Sequence, residues 1–413
     1  MTPPDLDRHV LIVGAGHAGG TLAALLRQNG WTGRITLAGE EAVAPYQRPP
    51  LSKTYLKRDT DVEALKLKPD EFYPEQDIAL MLGMRIESVN RAAKTVGFGA
   101  GGTLPYDVLV LATGSQARRL PIPGAELKGV HELRTVADAE ALEAAVAPGR
   151  RLAVVGAGYV GLEVAASARL LGMEVVVLER EARVLARVAA EPLSRFFETL
   201  HRGHGAEILT GVGVSAFVGD EDGFIRAVVL GDGREVACDA ALVGVGAAAC
   251  EDLALGSGLE CRNGVVVDEL GRTSDPSVFA IGDCTQRPLP VYGGRMFRLE
   301  SVPNALEQAR QVAALLCGKP APAPETPWFW SDQYDVKLQI AGVPFDADRL
   351  VVRGEPSEGR FAVFHLAGDR IMAVEAVNAP PEFMMGKMLI QQGRAVDPDK
   401  LADTAVPMKA VAL

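Results

Sequence analysis

The sequence predicts an α/β protein made of two Rossmann-like dinucleotide-binding domains and a small α+β domain at the C-terminal end. Three observations carry that expectation. The stretch VLIVGAGHAGGTLAALL sets Gly14, Gly16 and Gly19 between an apolar run and a helical one, and LAVVGAGYVGLEVA repeats the spacing at Gly156, Gly158 and Gly161. Each turn is followed by an acid at the end of the next apolar run, Glu40 lying 26 positions after Gly14 and Glu179 lying 23 after Gly156. That is near the distance at which a Rossmann unit offers a carboxylate to a ribose. Beyond Cys317 the composition shifts, with four prolines from Lys319 to Pro327, a stiff connector that separates a further unit.

In chain order, His9 to Val13 is a short apolar strand, the glycines turn, and GGTLAALLRQNG is helical until Asn29-Gly30 ends it. A second strand, RITLAGE, completes the βαβ opening. PYQRPPLSKTYL has too many prolines to start a helix before Leu51, so an ordered loop leading into a helix is expected. YDVLVLATGS is a continuous apolar strand of the kind buried in a parallel sheet. From Arg151 the same order returns: strand, glycine turn, helix, a strand ending in Glu179, and AALVGVGAAA as the counterpart of VLVLATGS. SDPSVFAIGDCT adds a strand with Asp283 at its tip. In the last unit, GRFAVFHLAGDRIMAVEAV predicts two alternating strands around an Ala-Gly-Asp turn, and PPEFMMGKMLIQQG a helix behind them.

The bulk numbers bound the function. The chain has 413 residues, 48% hydrophobic and 23% charged, enough for two or three cored domains. A net charge of −11 argues against a nucleic-acid partner. The opening MTPPDLDRHV has no basic stretch ahead of an apolar one, and no run reaches the roughly 20 apolar residues needed to span a bilayer, so a cytoplasmic protein is expected. The five cysteines, at 238, 250, 261, 284 and 317, form no C-x-x-C and no Cys/His metal spacing. Neither a structural disulfide nor a metal site is expected.

The chemistry of the turns follows from their glycines. The first lets the backbone turn, the second lets a pyrophosphate approach the amides, and the third brings helix against strand, while the helix N-terminus offers its unpaired N–H groups. Two such turns, each with strand, helix and acid in place, predict two bound dinucleotides. Glu179 would accept from a ribose 2′-OH and repel a 2′-phosphate, which favours NADH over NADPH; Arg180 beside it could instead greet that phosphate. Glu163, two residues after Gly161, is expected in the first turn of the second helix. There it could reach a nicotinamide or could simply complement the helix N-terminus. Asp283 could be a turn residue, and Trp328, Phe329 and Trp330 could be core.

Seven separated motifs, in one order and spanning the chain from about Val10, resemble the oxygenase-coupled NADH:ferredoxin reductases. They are the pair of fingerprints, PYQRPPLSK, LATGS, GYVGLEVA, TSDPSVFAIGDC, RLESVPNALEQA and PWFWSDQY. The resemblance implies a glutathione-reductase-type fold: an FAD domain in two parts (1–116 and 247–324), an NAD domain (117–246) and a C-terminal interface domain (325–413). It implies FAD contacts at Gly14, Gly16, Ala18, Gly19, Glu40, Arg48, Lys53, Ile86, Ala112, Thr113, Gly114, Arg134, Asp283 and Val302, with Asp283 on the ribityl chain. Trp330 would lie near the flavin on the path to an iron–sulfur partner. NAD contacts are implied at Gly156, Gly158, Gly161, Glu163, Glu179, Arg187 and Gly246. Lys53 and Glu163 would pair beside the flavin N5, as the catalytic pair.

Two stretches depart from the family: Ala247 to Ala249, where larger or Pro-containing sequence is usual, and RDTDVEALKLK, which differs in charge. The expected partner is a small [2Fe–2S] ferredoxin serving a haem monooxygenase or ring dioxygenase. It would dock on Lys66, Lys68, Arg295 and Arg298 with Trp330 beneath, and the reductase would be a monomer or weak dimer. Rival readings are an NADH oxidase or peroxidase, a disulfide or rubredoxin reductase, and a flavin-dependent binding protein of the apoptosis-inducing-factor type. The thiol-dependent rivals need a reactive cysteine near the flavin, and RPPLSKTYL has none.

Overall fold

The computed structural model describes residues 5–413. By contact the chain divides into two units. The first comprises Met1–Gln47, Val62–Gln116 and Ala248–Pro327, and the second Arg48–Asp61, Ala117–Ala247 and Trp328–Leu413.

The core of the first unit is a five-stranded parallel sheet in the order Val278–Ala280, Val108–Leu111, Val10–Val13, Ile35–Ala38, Ile78–Met81. Val10–Val13 and Val108–Leu111 are buried at every position, as near-continuous apolar strands covered on both faces must be. The helix His17–Gln28 covers one face with Ala18, Leu22, Ala23 and Leu26, beside the helix Val302–Leu316, and the two share one core.

The second unit repeats the arrangement. Its parallel sheet runs Val130–His131, Ala240–Val243, Arg151–Val155, Glu174–Glu179, Glu207–Thr210, and the helix Tyr159–Leu170 follows the fingerprint strand. The strand order is the same in both units, read outward from the fifth strand. Only the origin of that fifth strand differs: in the first unit it is the last to appear in the chain, and in the second it is the first.

The second unit also holds an antiparallel sheet ordered Trp328–Gln333, Val336–Gly342, Arg370–Val377, Arg360–Ala367, Arg349–Glu355. Leu338, Phe361 and Val363 of that sheet share one core with Leu56, Leu162, Val164 and Phe197. That shared core is why residues 328–413 and 48–61 group with 117–247 by contact.

Two local expectations are corrected. PYQRPPLSKTYL leads into no helix; Pro49–Ser52 is a single 3₁₀ turn followed by turns, as two adjacent prolines dictate. The strands Arg360–Ala367 and Arg370–Val377 do not alternate but are buried almost throughout, because both faces are covered. Trp328, Phe329 and Trp330, whose place the sequence leaves open, are half-buried, with Phe329 packed against the core. Among the described residues, no helix is long and apolar enough to cross a membrane.

Candidate functional site

The two glycine turns are built on the same logic. A Cβ on Gly14 would lie 2.1 Å from the Ala112 oxygen, and one on Gly156 would lie 2.5 Å from the Gly244 oxygen; both residues have φ of +100° or more. The third glycines, Gly19 and Gly161, would strike the carbonyls of Gly14 and Gly156 at 2.0 and 2.2 Å. The protein's own packing therefore requires these four. Gly16 and Gly158 differ, because a Cβ on either meets nothing within 4 Å. Nothing in the chain demands glycine there, so the demand comes from something that must approach the backbone.

Gly16 and Gly158 are also the N-caps of their helices, with no side-chain cap and no acid in the first turn. The helices that begin at Val136 and Val302 are capped by Thr135 and Ser301. Two uncapped N-termini, each facing open space through a glycine, fit the pyrophosphates of FAD and NAD.

In the first unit, Glu40 lies just beyond the strand Ile35–Ala38 and is exposed, 3.2 Å from Arg85 Nη1. Ala112, Thr113 and Gly114 follow the strand Val108–Leu111, and Thr113 Oγ1 donates to the Cys250 carbonyl at 2.6 Å. Asp283 sits in the 3₁₀ turn Gly282–Cys284, just past its strand, and accepts from Ser115 Oγ at 3.2 Å. That turn is held by Gln308, whose Oε1 accepts from Gly282 N at 2.8 Å. Val302 opens its helix, and Ile86 is buried at the head of the strand Ile86–Asn90. The structure thus gathers Gly14, Gly16, Ala18, Gly19, Ala112 and Thr113 at the strand ends of one sheet, where α/β sheets take ligands.

In the second unit, Glu179 ends its strand with its carboxylate fixed by two amides, Ala157 N at 2.7 Å and Glu181 N at 2.8 Å. Arg180 is exposed and pairs with its neighbour Glu181 at 3.0 Å. Gly246 has φ +107°, and a Cβ there would stand 4.0 Å from Arg187 Nη2 and 3.8 Å from Arg118 Cδ. Arg118 carries no signal in the sequence. Arg48 donates to the Arg134 carbonyl at 2.6 Å, while Arg134 N is held by Asp138 at 3.0 Å.

Lys53 and Glu163 meet at 2.6 Å. Glu163 is not in the first helical turn, as its sequence position suggests. The helix starts at Tyr159 with Gly158 as N-cap, which puts Glu163 a turn further in, 5% exposed. The helix-terminus reading loses its basis, since dipole effects are confined to the first turn. Three donors converge on the carboxylate: Lys53 Nζ and Ser52 Oγ reach Oε2 at 2.6 Å each, and Ser331 Oγ reaches Oε1 at 2.7 Å. Pro49 O accepts from Lys53 Nζ at 3.1 Å, and Ser52 O accepts from Ser167 Oγ at 2.7 Å. A buried charge pair persists only when its hydrogen bonds are complete in this way. Neither Ser52 nor Ser331 is signalled in the sequence; Ser331 lies within PWFWSDQY, whose aromatics are the conspicuous feature.

The expected docking cations are corrected in part. Lys66 and Lys68 do not lie in an extended strand, which removes the argument for a shared face. The Lys66 side chain is nearly buried, with Glu63 and Asp70 both at 2.7 Å, and Arg298 pairs with Glu300. Lys68 stands 5.2 Å over the Phe72 ring, and Arg295 is exposed. Trp330 packs 5.7 Å from Trp328.

The buried thiols are poor nucleophiles. Burial pushes Cys238 up to about 12 and Cys261 up to about 11, and it raises Cys284 and Cys317 as well. None of the five cysteines is disulfide-bonded, and among the described residues no group of three or more His, Cys, Asp or Glu could hold a metal.

Comparison with known proteins shows the family. A family model described as pyridine nucleotide-disulphide oxidoreductase matches residues 8–309, and one described as reductase C-terminal matches 328–412. The chain is 51% identical to the probable ferredoxin reductase CtmF of Castellaniella defragrans, over 98% of this chain and 99% of that one. It is 42% identical to putidaredoxin reductase CamA of Pseudomonas putida, over 98% and 96%. Among solved structures, the covalent putidaredoxin reductase–putidaredoxin complex matches with a TM-score of 0.96 at 42% identity, covering 98% of each chain.

Proposed function

This chain belongs to the pyridine nucleotide-disulphide oxidoreductases, and on that premise we propose that it is an NADH-dependent, FAD-containing ferredoxin reductase. Its acceptor is a small [2Fe–2S] ferredoxin that serves a haem monooxygenase or a ring-hydroxylating dioxygenase. The observation that carries this reading is the pair of open glycine turns in one chain, joined to a buried Lys53–Glu163 pair. The disulfide-reductase reading needs a reactive thiol, and burial raises the thiol values at Cys238, Cys261, Cys284 and Cys317 alike.

The first fingerprint, with Gly14, Gly16, Ala18, Gly19 and Glu40, holds the FAD adenosine and pyrophosphate. The family resemblance gives Arg48, Lys53, Ile86, Ala112, Thr113, Gly114, Arg134, Asp283, Val302 and Trp330 as further flavin contacts. The second fingerprint, with Glu179, Arg187 and Gly246, holds NADH. FAD, when bound, supplies the step from a two-electron hydride donor to a one-electron iron–sulfur acceptor. The work of the chain is alignment and desolvation: its amides bind phosphate, its carboxylates bind ribose, and Glu163 keeps Lys53 in one position. No side chain is required as an acid or base. Glu179 in its amide cradle supports NADH as the donor. The ferredoxin contacts of this reading are Lys66, Lys68, Arg295 and Arg298 with Trp330 beneath, and of these cations Lys66 and Arg298 already hold carboxylates within the chain.

The test is anaerobic reduction of the holoenzyme by NADH, followed by electron transfer to putidaredoxin as the [2Fe–2S] probe. Rapid flavin bleaching and catalytic acceptor reduction are expected, with Lys68→Glu raising KM for the acceptor alone. Flavin reduction without acceptor turnover would favour the binding-protein reading. Dithionite titration should take up two electrons per FAD, and four would reveal a redox-active cysteine pair.

A further inference from the structure

The carboxylate of Glu163 is the end of a hydrogen-bonded chain that runs away from the glycine turn. Ser331 Oγ gives its only proton to Glu163 Oε1 at 2.7 Å, so its oxygen must accept, and Gln333 Nε2 stands 3.2 Å from it. That fixes the amide: Gln333 Oε1 turns the other way, 2.8 Å from His201 Nε2, which must carry the ring proton. His201 Nδ1 is left to accept, and Tyr334 OH lies 3.4 Å from it. Every donor in the series points towards Glu163. Ser331, Gln333 and His201 are all buried, at 1% exposure or less, so water cannot replace a missing partner.

Two features of the backbone hold this order. Gln333 and Val336 are paired across a two-residue turn, and Tyr334 in that turn has φ +56°, a conformation few non-glycine residues adopt. The turn places the Tyr334 ring 3.7 Å from His204 in a stack and edge-on to His201 at 5.1 Å. Burial also keeps the chain in one protonation state. It pushes His201 down to about 4, with His204 acting in the same direction, and pushes Tyr334 up to about 12.

We infer that Ser331 is a positioning residue for hydride transfer, orienting Glu163, and through it Lys53, by means of the Gln333–His201–Tyr334 chain behind it. The inference rests on the reading that Lys53 and Glu163 stand at the reacting nicotinamide. Ser331 acts by fixing which oxygen of Glu163 faces Lys53, and a one-way donor chain fixes it more firmly than a single hydroxyl could.

The test has two readouts on the full-length holoenzyme. With ¹⁵N-labelled histidine, His201 in the wild type should show the neutral Nε2–H tautomer at pH 7; an Nδ1–H tautomer or an imidazolium overturns the donor order without any variant. In Ser331→Ala, Gln333 loses its acceptor and is free to flip, so the His201 signals should move towards the other tautomer. The limiting rate of flavin reduction by NADH should fall about tenfold in that variant, with the NADH Kd within about twofold of wild type. Ser331→Thr, which keeps the hydroxyl, should recover the rate. If Glu163→Gln slows reduction and Ser331→Ala does not, the positioning role is wrong and the site reading stands. If neither variant changes the rate, the site reading itself fails and takes this inference with it.

Discussion

The two fingerprint helices begin alike and diverge at one position. Counted from the first glycine, Glu163 of the second helix corresponds to Thr21 of the first. Thr21 is half-buried, whereas Glu163 is buried and bonded to Lys53, Ser52 and Ser331. The acids after the turns diverge as well. Glu40 is exposed beside Arg85, and Glu179 is clasped by two backbone amides. On the proposed reading, the shared residues receive a phosphate and the residues that differ decide what else each turn does. A duplicated binding device can thus serve a resident cofactor in one copy and a reacting coenzyme in the other.

The largest test of this comparison is on the glycines. Gly19→Val and Gly161→Val drive a side chain into a carbonyl at 2.0 and 2.2 Å and should cost about 3 kcal/mol or more, seen as lost soluble protein or a lowered denaturant midpoint. Gly16→Val and Gly158→Val should leave the unliganded fold intact, because a Cβ there meets nothing. They should instead abolish FAD retention and NADH binding respectively. Equal damage from the second and third glycines would mean that the open space at Gly16 and Gly158 has no ligand to receive.

Coenzyme choice comes next. NADH should exceed NADPH in kcat/KM, and Glu179→Ala should narrow that gap by about 2 to 4 kcal/mol, the loss of one ribose bond and one repulsion. Glu40→Ala should leave the preference where it was. A third measurement sets Glu163→Gln against Thr21→Val: the first should slow flavin reduction by about a hundredfold, and the second should leave the rate within about twofold.

The last test is of stability against pH. His201 titrates near 4 in the native state against an ordinary value of 6.5. As pH falls below 6.5 the unfolded chain gains a proton that the folded chain refuses, so stability present above 6.5 is lost progressively down to about 4. The total is about 3 kcal/mol. Chemical denaturation across that window should show the slope, and His201→Gln should flatten it.

Much of this was legible in the sequence. Both βαβ units, their glycines and their acids follow from local spacing, because a strand, a turn and a helix lie within about 30 residues of one another. The C-terminal hairpin and helix were legible for the same reason. The burial of the strands Arg360–Ala367 and Arg370–Val377 on both faces was not, since alternation reports only a half-buried sheet. The surroundings of Glu163 were hidden more deeply. Ser52 and Ser331 lie 111 and 168 residues from it, and a lone serine has no periodicity that points to a distant carboxylate. The surroundings of Lys66 were hidden for a related reason: its spacing from Lys68 was legible, but its pairing with Glu63 and Asp70 depends on the fold of the loop.

The origin of the fifth strand bears on how the chain comes off the ribosome. The strand Val108–Leu111 is emerging while Val278–Ala280, which will pair with its outer edge, is still unsynthesised. At about 5–20 residues per second, that edge waits on the order of ten to thirty seconds. In the same interval every strand of the second parallel sheet is made. The nascent first unit therefore carries an unprotected apolar edge through the middle of translation, and its closure comes late, after the second parallel sheet is complete. Chains arrested before residue 278 should be cut by protease within the first unit and spared in the second sheet, and slowing translation between residues 111 and 278 should lengthen the time over which the edge can mispair.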